Sequence, residues 1–150
     1  MNGRMQLDLD LNEFNLLTDD EANLLTRVNQ TDKPYRNKVT IAELFVRQAE
    51  KTPDRVAVVE ADRERTYAEL HAEANQLARI LKDAGVVPSQ LVGILADRSS
   101  RMVAGVLAIL QAGGGYVPVD PHYPRARIRY LLQDSRCKVL VTESMYLDEV

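Results

Sequence analysis

Apolar and polar positions along the chain form patterns that predict a series of helices and strands. After Thr40, the residues Ile41, Leu44 and Phe45 have the i, i+3, i+4 spacing of a helix with one apolar stripe. Residues Val56 to Val59 are a β-branched run bounded by turn residues. Such a run predicts a buried strand.

The clearest helix in the sequence comes after a turn predicted at residues 62–64. Thr66 can cap this helix, and Glu69 stands three residues later, which is the spacing of a capping box. Gly85 has the position of a C-cap glycine. The apolar positions, at alternating spacings of three and four, are Tyr67, Leu70, Ala74, Leu77 and Leu81. They place one apolar stripe along the helix.

The second half of the chain continues this alternation. Leu91–Leu95 is an apolar run typical of a second buried strand, and a long helix is predicted from about Ser100 to Gln111. The inward-facing positions of that helix are predicted to be Met102, Val103, Val106, Leu107 and Leu110. Gly113–Gly115 stops the helix. Residues 116–119 then form a short strand, whose proline places it at a sheet edge or a strand end.

Two further elements complete the pattern. A helix opens with Pro124 at the favoured first position and turns Ile128, Leu131 and Leu132 inward, and Lys138–Val141 is the last strand. Strands and helices thus alternate with short connections, and the strands are continuous apolar runs. These features predict an α/β fold, with a mainly parallel sheet and helices on its faces.

The N-terminal region has a weaker pattern. Residues 1–38 are interpreted as a leader or linker, and residues 39–150 as the folded domain. Thr18 and Glu21 have the capping-box spacing at the start of a short helix, which is predicted to end near Asn29.

The composition is that of an ordinary globular protein, with 45% hydrophobic and 27% charged residues. A net charge of −3 gives no general electrostatic reason to bind nucleic acid or an anionic membrane. The N-terminus lacks the apolar core of a signal peptide, and the longest apolar stretch, residues 102–110, is too short to span a membrane. The single cysteine, Cys137, excludes an internal disulfide. We therefore expect a cytoplasmic protein.

The sequence has few candidates for phosphate binding, metal binding or catalysis. Gly113–Gly115 follows a helix and precedes a strand, which reverses the order that a phosphate loop needs, so it is interpreted as a helix stop. His71 and His122 are interpreted as solvated or locally bonded, because a metal site needs several convergent ligands. Cys137 is interpreted as a small core residue.

Two further polar segments were considered as functional candidates. An arginine run surrounds the predicted helix after Pro124, at Arg125, Arg127, Arg129 and Arg136. It is interpreted as a solvated face, and the alternative is a docking surface for an acidic partner. Ser99-Ser100 has no candidate base nearby in the sequence, so no set of nucleophile, base and orienting group is found.

Two segments resemble the first two core motifs of amino-acid adenylation domains of nonribosomal peptide synthetases. Residues 66–70, Thr-Tyr-Ala-Glu-Leu, are similar to the first motif, Leu-Thr/Ser-Tyr-x-Glu-Leu, with Arg65 in place of its leading leucine. Residues 110–120 are similar to the second motif, Leu-Lys-Ala-Gly-x-Ala-Tyr-Val-Pro-Ile-Asp. The departures from the second motif are Gln111, Gly115 and Val119.

The segments between the motifs also resemble this family, so the resemblance covers about residues 16–145. Residues 16–31 resemble the linker that often leads into such domains from a preceding condensation domain. The chain is therefore expected to be the N-terminal part of an adenylation domain, that is, an incomplete first subdomain of an adenylate-forming enzyme.

The resemblance implies an activity for the complete domain. Such a domain binds an amino acid and Mg-ATP, forms an aminoacyl adenylate, releases pyrophosphate and loads the amino acid onto the phosphopantetheine thiol of a carrier domain. In this family the phosphate loop, the substrate pocket and the catalytic lysine follow the first two motifs. No catalytic, cofactor-binding or metal-binding residue is therefore assigned here. The chain alone is expected to be an inactive scaffold, with the remainder of the domain and neighbouring condensation and carrier domains as partners.

Three alternatives remain open at this point. The first is a fragment of a fatty-acyl or aryl acid ligase of the same superfamily, although residues 116–124 favour the amino-acid branch by resemblance. The second is a non-catalytic docking module, which would expose no large apolar patch, whereas a fragment would. The third is an α/β domain that binds a nucleotide at the carboxyl ends of its strands, which the lack of a phosphate loop disfavours.

Overall fold

The computed structural model describes residues 17–33, 39–61 and 63–149. The chain divides into two compact units, Met1–Arg36 and Asn37–Val150, and each is described by its residues within these ranges.

Helix α1 is the element described in the first unit, and it spans Asp19–Asn29 as the sequence predicts. Thr18 and Glu21 form the predicted capping box. The Glu21 N–H donates to Thr18 Oγ1 at 3.3 Å, and the Thr18 N–H donates to Glu21 Oε2 at 2.8 Å. The rest of the predicted leader, residues 1–16 and 34–38, lies outside the described residues.

Helices and strands alternate in the described part of the second unit. The helices are α2 (Ile41–Lys51), α3 (Tyr67–Asp83), α4 (Ser100–Gln111) and α5 (Arg125–Asp134). The strands are β1 (Val56–Glu60), β2 (Arg63–Thr66), β3 (Leu91–Leu95), β4 (Gly115–Val119) and β5 (Leu140–Thr142). A 3₁₀ helix, Ser144–Glu149, follows β5.

Three of these strands form a parallel sheet in the order β4-β3-β5. β3 pairs with β4 along its whole length, so that Leu95 lies opposite Val119. At its other edge, β3 pairs with β5, and Leu95 lies opposite Thr142. Pro118 belongs to β4, which has no second neighbour among the described strands, as its proline predicts. This arrangement confirms the predicted α/β fold.

The strand β3 lies at the centre of the core. On one of its faces, Val92 and Ile94 are 0% and 1% exposed and pack in a cluster with residues of α3 and α4. On the other face, Leu95 packs with Val119 of β4 and Ile128 of α5. Because successive side chains of a strand point to opposite faces, this one strand joins two layers of helices.

The first hairpin differs from the prediction. β1 pairs antiparallel with β2, so residues 63 and 64, which were predicted as turn, belong to a strand. β1 is also less buried than predicted, since Val56 and Val59 are 43% and 67% exposed while Val58 packs against the core. The physical reason is that this hairpin is a separate two-stranded sheet with one covered face.

The inward face of α4 also differs from the prediction. Val103, predicted to point inward, is 38% exposed, whereas Ala104 and Ala108 are buried. Ala104 packs with Ala74 of α3, so small side chains let the two helices approach closely. Two boundaries shift slightly as well: Pro124 is the N-cap of α5, and the last strand begins at Leu140.

The start of α3 is tied to the loop before β1. Thr66 Oγ1 accepts a hydrogen bond from the Glu69 N–H at 3.2 Å, and Glu69 Oε2 accepts one from the Thr66 N–H at 2.8 Å. The bond from the Thr66 backbone holds the pKa of the Glu69 carboxyl below its usual range. The first two amide hydrogens of α3 donate to the carbonyl oxygens of Arg55 and Pro53 at 2.9 and 3.0 Å. The amide groups that a helix start leaves unpaired are thus bonded here.

The capping box of α3 makes a specific prediction about stability. Thr66→Ala removes the side-chain acceptor of the Glu69 N–H and is expected to lower the free energy of unfolding by about 1 kcal/mol. Thr66→Ser keeps the hydroxyl and serves as the matched control. Urea denaturation followed by circular dichroism checks this expectation, and equal midpoints for the two variants would contradict it.

Candidate functional site

The candidate site lies at the carboxyl edge of the parallel sheet. The chain passes from β3 through α4 to β4 on one side, and from β4 through α5 to β5 on the other side of β3. In open α/β sheets, ligands bind at the carboxyl edge where the strand order reverses in this way. A cleft of about 670 Å³ opens at this edge, lined by residues 96–98 after β3 and 118–123 at the end of β4. We call it the carboxyl-edge cleft.

A tyrosine–aspartate hydrogen bond joins the segment after β3 to the 3₁₀ helix at this edge. The Tyr146 hydroxyl donates to Asp97 Oδ2 at 2.5 Å. This bond, aided by the loss of solvation, raises the pKa of Tyr146 to about 12. Nearby, Thr142 Oγ1 donates to the carbonyl oxygen of Leu95 at 2.9 Å. The two bonds hold β5 and the 3₁₀ helix against the end of β3.

His122 forms a local pair with Asp120 in the loop after β4. The His122 N–H donates to Asp120 Oδ1 at 2.9 Å, and the ring Nδ1 lies 3.0 Å from the same oxygen. The backbone bond, followed by the side-chain bond, lowers the pKa of the Asp120 carboxyl. His122 is therefore locally bonded and exposed, as predicted.

Among the described residues, the charges that line the carboxyl-edge cleft are mostly negative. Asp97 and Asp120 contribute carboxylates, and Arg98 contributes one guanidinium group. Asp120 is held ionised by the hydrogen bonds that lower its pKa. A phosphate group placed in the cleft would therefore face like charge, which is unfavourable at short distance.

The N-terminus of α4 is closed by side chains from two elements. Glu60 Oε2, at the end of β1, accepts the Ser100 N–H at 2.9 Å, and this bond lowers the pKa of the Glu60 carboxyl. Ser99 Oγ accepts the Met102 N–H at 3.2 Å. Ser99 is thus the N-cap of α4. These amide groups are the ones that would hold a phosphate at a helix N-terminus, and they already have partners.

The Gly113–Gly115 run ends α4, as predicted. Gly113 has a φ of +90°, in the left-handed region that favours glycine. The Gly113 N–H donates to the Leu110 carbonyl at 3.1 Å, and the Gly114 N–H donates to the Ile109 carbonyl at 2.9 Å. These two bonds are those of a Schellman motif, the usual way to satisfy the last carbonyl groups of a helix.

The remaining candidates of the sequence lie elsewhere in the second unit. His71 is half-buried, and its Nε2 lies 2.9 Å from Asn75 Nδ2, so it is locally bonded. Cys137 is half-buried with its Sγ 3.1 Å from Ser135 Oγ, and it lies outside the core clusters of the described residues, contrary to the core interpretation. The arginine run is exposed, as a solvated face would be. Arg127 stacks over the Tyr130 ring at 5.4 Å.

The described part of the chain offers neither a cluster of metal ligands nor a membrane-spanning helix. No group of three or more His, Cys, Asp or Glu side chains in residues 17–33, 39–61 and 63–149 is placed to hold a metal ion. Over the same residues, each helix is too short or too polar to cross a membrane.

Comparison with known proteins identifies the family. The sequence model of the AMP-binding enzyme family matches residues 45–150. The chain belongs to this family. The matched residues include all of β1 to β5 and α3 to α5, so the family sequence and the α/β fold describe the same part of the chain.

Close relatives are peptide synthases. The chain is 48% identical over 145 residues to a subunit of the mycosubtilin synthase of Bacillus subtilis, a match that covers 97% of this chain and 6% of the relative. It is 42% identical over 144 residues to gramicidin S synthase 2 of Brevibacillus brevis, covering 95% of this chain and 3% of the relative. Bacitracin synthase 3 of Bacillus licheniformis is 47% identical over 137 residues, or 91% of this chain and 2% of the relative. The chain thus spans a small part of each.

Solved structures give the same assignment. The AMPPNP-bound form of the nonribosomal peptide synthetase FmoA3 is 34% identical and has a TM-score of 0.83, over 89% of this chain and 14% of that one. The N-terminal subdomain of Klebsiella oxytoca NpsA, in complex with 3-hydroxybenzoyl-AMSN, is 27% identical with a TM-score of 0.65, over 70% of this chain and 26% of that one. The chain corresponds to the N-terminal part of a nonribosomal peptide synthetase adenylation domain.

In this AMP-binding family member, the two motif segments have structural roles. Residues 66–70 contain the capping box of α3 and the buried Leu70. Residues 110–120 contain the end of α4, the Schellman motif and β4. The sequence indicated both roles. It did not indicate the Asp97–Tyr146 or Glu60–Ser100 bonds, because these partners are 49 and 40 residues apart.

The Tyr146–Asp97 bond predicts a pH dependence of stability. The folded pKa of about 12 lies above the ordinary value of 10.0, so the bond contributes fully below pH 10 and is lost as the pH rises toward 12. The difference in urea midpoint between wild type and Tyr146→Phe should therefore be constant below pH 10 and shrink above it. Tyr123→Phe is the control, because it removes a hydroxyl from another tyrosine near the same edge, whose side chain is 45% exposed. A difference that stays constant through the alkaline range would contradict the bond.

The glycine run predicts different costs for two neighbouring substitutions. Gly113→Ala places a side chain at a left-handed position and is expected to cost about 1–2 kcal/mol of stability. Gly115→Ala adds a Cβ that would lie 3.2 Å from the flexible Leu91 Cδ2, and the change should stay within about 0.5 kcal/mol. Thermal or urea unfolding of both variants checks this, and a larger loss for Gly115→Ala would refute the helix-stop interpretation.

Proposed function

We propose that this chain is a scaffold segment of an adenylation domain whose complete form activates an amino acid. The complete domain would join the amino acid and ATP to an aminoacyl adenylate, release pyrophosphate, and transfer the amino acid to a carrier thiol. The observation that carries the proposal is the 34% identity and TM-score of 0.83 with a peptide synthetase crystallised with AMPPNP. The peptide synthases related to this chain at 40–48% identity support the same activity.

The described residues of this chain do not fit the phosphate groups of Mg-ATP. The α4 N-terminus is bonded to Glu60 and Ser99, and the carboxyl-edge cleft is lined by the carboxylates of Asp97 and Asp120. We infer that residues outside this chain hold Mg-ATP and supply the catalytic groups in the complete domain. The role of this chain is to fold the first subdomain and to support the loops at the carboxyl edge of its sheet.

An amino acid is favoured over a fatty-acyl or aryl acid as the substrate class. The peptide synthetase FmoA3 matches a larger share of this chain, at higher identity, than the NpsA subdomain crystallised with 3-hydroxybenzoyl-AMSN. The identity of the amino acid would depend on pocket residues that follow this segment.

The exposed apolar side chains favour a segment of a larger domain over a separate docking module. The mostly exposed large apolar side chains include Ile41, Val59, Met145 and Leu147. A free-standing module would keep such side chains covered, because exposed apolar surface drives association. We propose that the remainder of the adenylation domain covers part of this surface, and that condensation and carrier domains are the further neighbours.

The proposal also includes a domain boundary and a cellular location. We propose that residues 1–38 are a leader or linker and that residues 39–150 belong to the adenylation domain. A cytoplasmic location is supported by the single cysteine, since a reducing compartment does not call for disulfides.

A chimera tests the scaffold role directly. Residues 39–149 of this chain would replace the aligned segment of the mycosubtilin synthase relative, and amino-acid-dependent ATP–pyrophosphate exchange would be measured. The chimera is expected to keep the exchange and the amino-acid preference of the recipient, because the segment would contribute packing and no catalytic group. The chain alone is expected to give no exchange.

The control chimera carries Gly93→Leu. A Cβ at Gly93 would lie 2.8 Å from both Leu132 Cδ2 and Leu140 Cδ1, so a leucine there should disrupt the packing of α5 on the sheet and abolish exchange. A folded, unmutated chimera without exchange would count against the scaffold role. A chimera whose amino-acid preference changes would show that this segment selects the substrate.

A further inference from the structure

A second groove lies at the opposite edge of the sheet from the carboxyl-edge cleft. α4 ends just before β4 begins, so its last residues lie at the amino edge of the sheet. There, residues of α2, α3 and the end of α4 line a groove of about 530 Å³. We call it the amino-edge groove. Its lining includes Val46, Ala78 and Leu110, which give it an apolar floor.

The amino-edge groove has an excess of positive charge. Arg47 of α2 and Arg79 and Lys82 of α3 line it. None of the three has a carboxylate within 4.0 Å among the described residues, and all three are exposed. The one carboxylate in the lining is Glu43, and its Oε2 already accepts the Thr40 N–H at 2.9 Å. In a chain of net charge −3, this local excess of cations is a specific feature.

Gln111 adds a second, independent observation. It lines the same groove, and both its amide nitrogen and its amide oxygen are buried without a hydrogen-bond partner among the described residues. Buried polar groups in folded proteins are nearly always paired, so this side chain lacks both an acceptor and a donor. A peptide bond supplies both at once, in the fixed geometry of one planar group.

We propose that the amino-edge groove binds an acidic peptide segment of a partner protein. The carboxylates of that segment would lie opposite Arg47, Arg79 and Lys82. One of its peptide groups would pair with the amide of Gln111 after a rotamer change turns that buried amide into the groove. Apolar side chains of the segment would rest on Val46 and Leu110. This site lies at the far edge of the sheet from the carboxyl-edge cleft, and it does not depend on the adenylation activity proposed above.

The first test measures binding of a labelled, end-blocked peptide of glutamate, leucine and glycine by fluorescence anisotropy. The matched peptide has glutamine in place of glutamate. The full chain is expected to bind the glutamate peptide, more weakly as salt rises, and to bind the glutamine peptide at least about tenfold more weakly. Equal binding of the two peptides would overturn the proposal.

Variants then locate the site. The double variant Arg79→Glu and Lys82→Glu is expected to weaken binding by roughly tenfold or more, because it reverses two charges of the groove. Arg129→Glu is the control, since Arg129 is an exposed arginine of α5 that does not line the groove. Equal losses in the two proteins would show general charge attraction and overturn the proposal. Circular dichroism verifies that both variants are folded.

Two further measurements separate the peptide from other occupants. Gln111→Leu should weaken peptide binding several-fold while leaving its salt dependence unchanged, because the amide pairs with the backbone and not with charge. Inorganic phosphate should compete only weakly. Phosphate that displaces the peptide at comparable concentration would make the groove an anion site instead. Light scattering showing self-association that the Arg79→Glu and Lys82→Glu pair abolishes would assign the groove to a second copy, and either result would overturn the proposal.

Discussion

The fold depends on a strand that is buried on both faces and paired at both edges. Val92 and Ile94 of β3 join α3 and α4 to the sheet from one side, and Leu95 joins α5 from the other. Gly93 lies between them because α5 and β5 leave no room for a side chain there. The three layers therefore meet around the five residues of β3. Changes in this strand should affect the helices that pack on both of its faces, since close-packed interiors transmit small changes in volume.

The two family motifs in this chain supply hydrogen-bond partners for backbone groups at the ends of helices. A helix leaves amide groups unpaired at its start and carbonyl groups unpaired at its end. The first motif satisfies the start of α3 through Thr66 and Glu69, and the second satisfies the end of α4 through Gly113. β3 follows α3 and β4 follows α4, and these two strands pair in the parallel sheet. In the described residues, both signature segments of this enzyme family thus pair the backbone groups at a helix end.

The sequence was most informative where structure is decided locally. The bounds of α3 follow from a capping box and a glycine that lie within or beside the helix, and both were predictable. β2 was missed because Arg63-Glu64-Arg65-Thr66 has no apolar pattern, and its strand geometry comes from pairing with β1. The inward face of α4 was rotated in the prediction, because alanine positions weigh little in an apolar count although Ala104 and Ala108 form the contact.

The site was predictable only in part, for the same physical reason. The order of helix, glycine run and strand predicted a helix stop without any knowledge of the fold, and the structure confirms that stop. The bonds of the carboxyl edge, and the unpaired amide of Gln111 at the amino edge, depend on residues that folding brings together from distant positions. Local sequence patterns do not predict contacts between residues that are distant in the chain. The hydrogen bonds of the carboxyl edge and the unpaired Gln111 amide are therefore seen only in the folded structure.

The pairing of β3 with β5 has a consequence for how the chain acquires its structure. The capped helices can begin to form from neighbouring residues alone, and β4 follows β3 after one helix. β5 arrives much later, since Thr142 contacts Leu95 across 47 positions. During synthesis from the N-terminus, one edge of β3 therefore lacks its partner until β5 has been made. That interval is the period in which a nascent chain of this kind is most open to mispairing with another strand, and to protection by a chaperone.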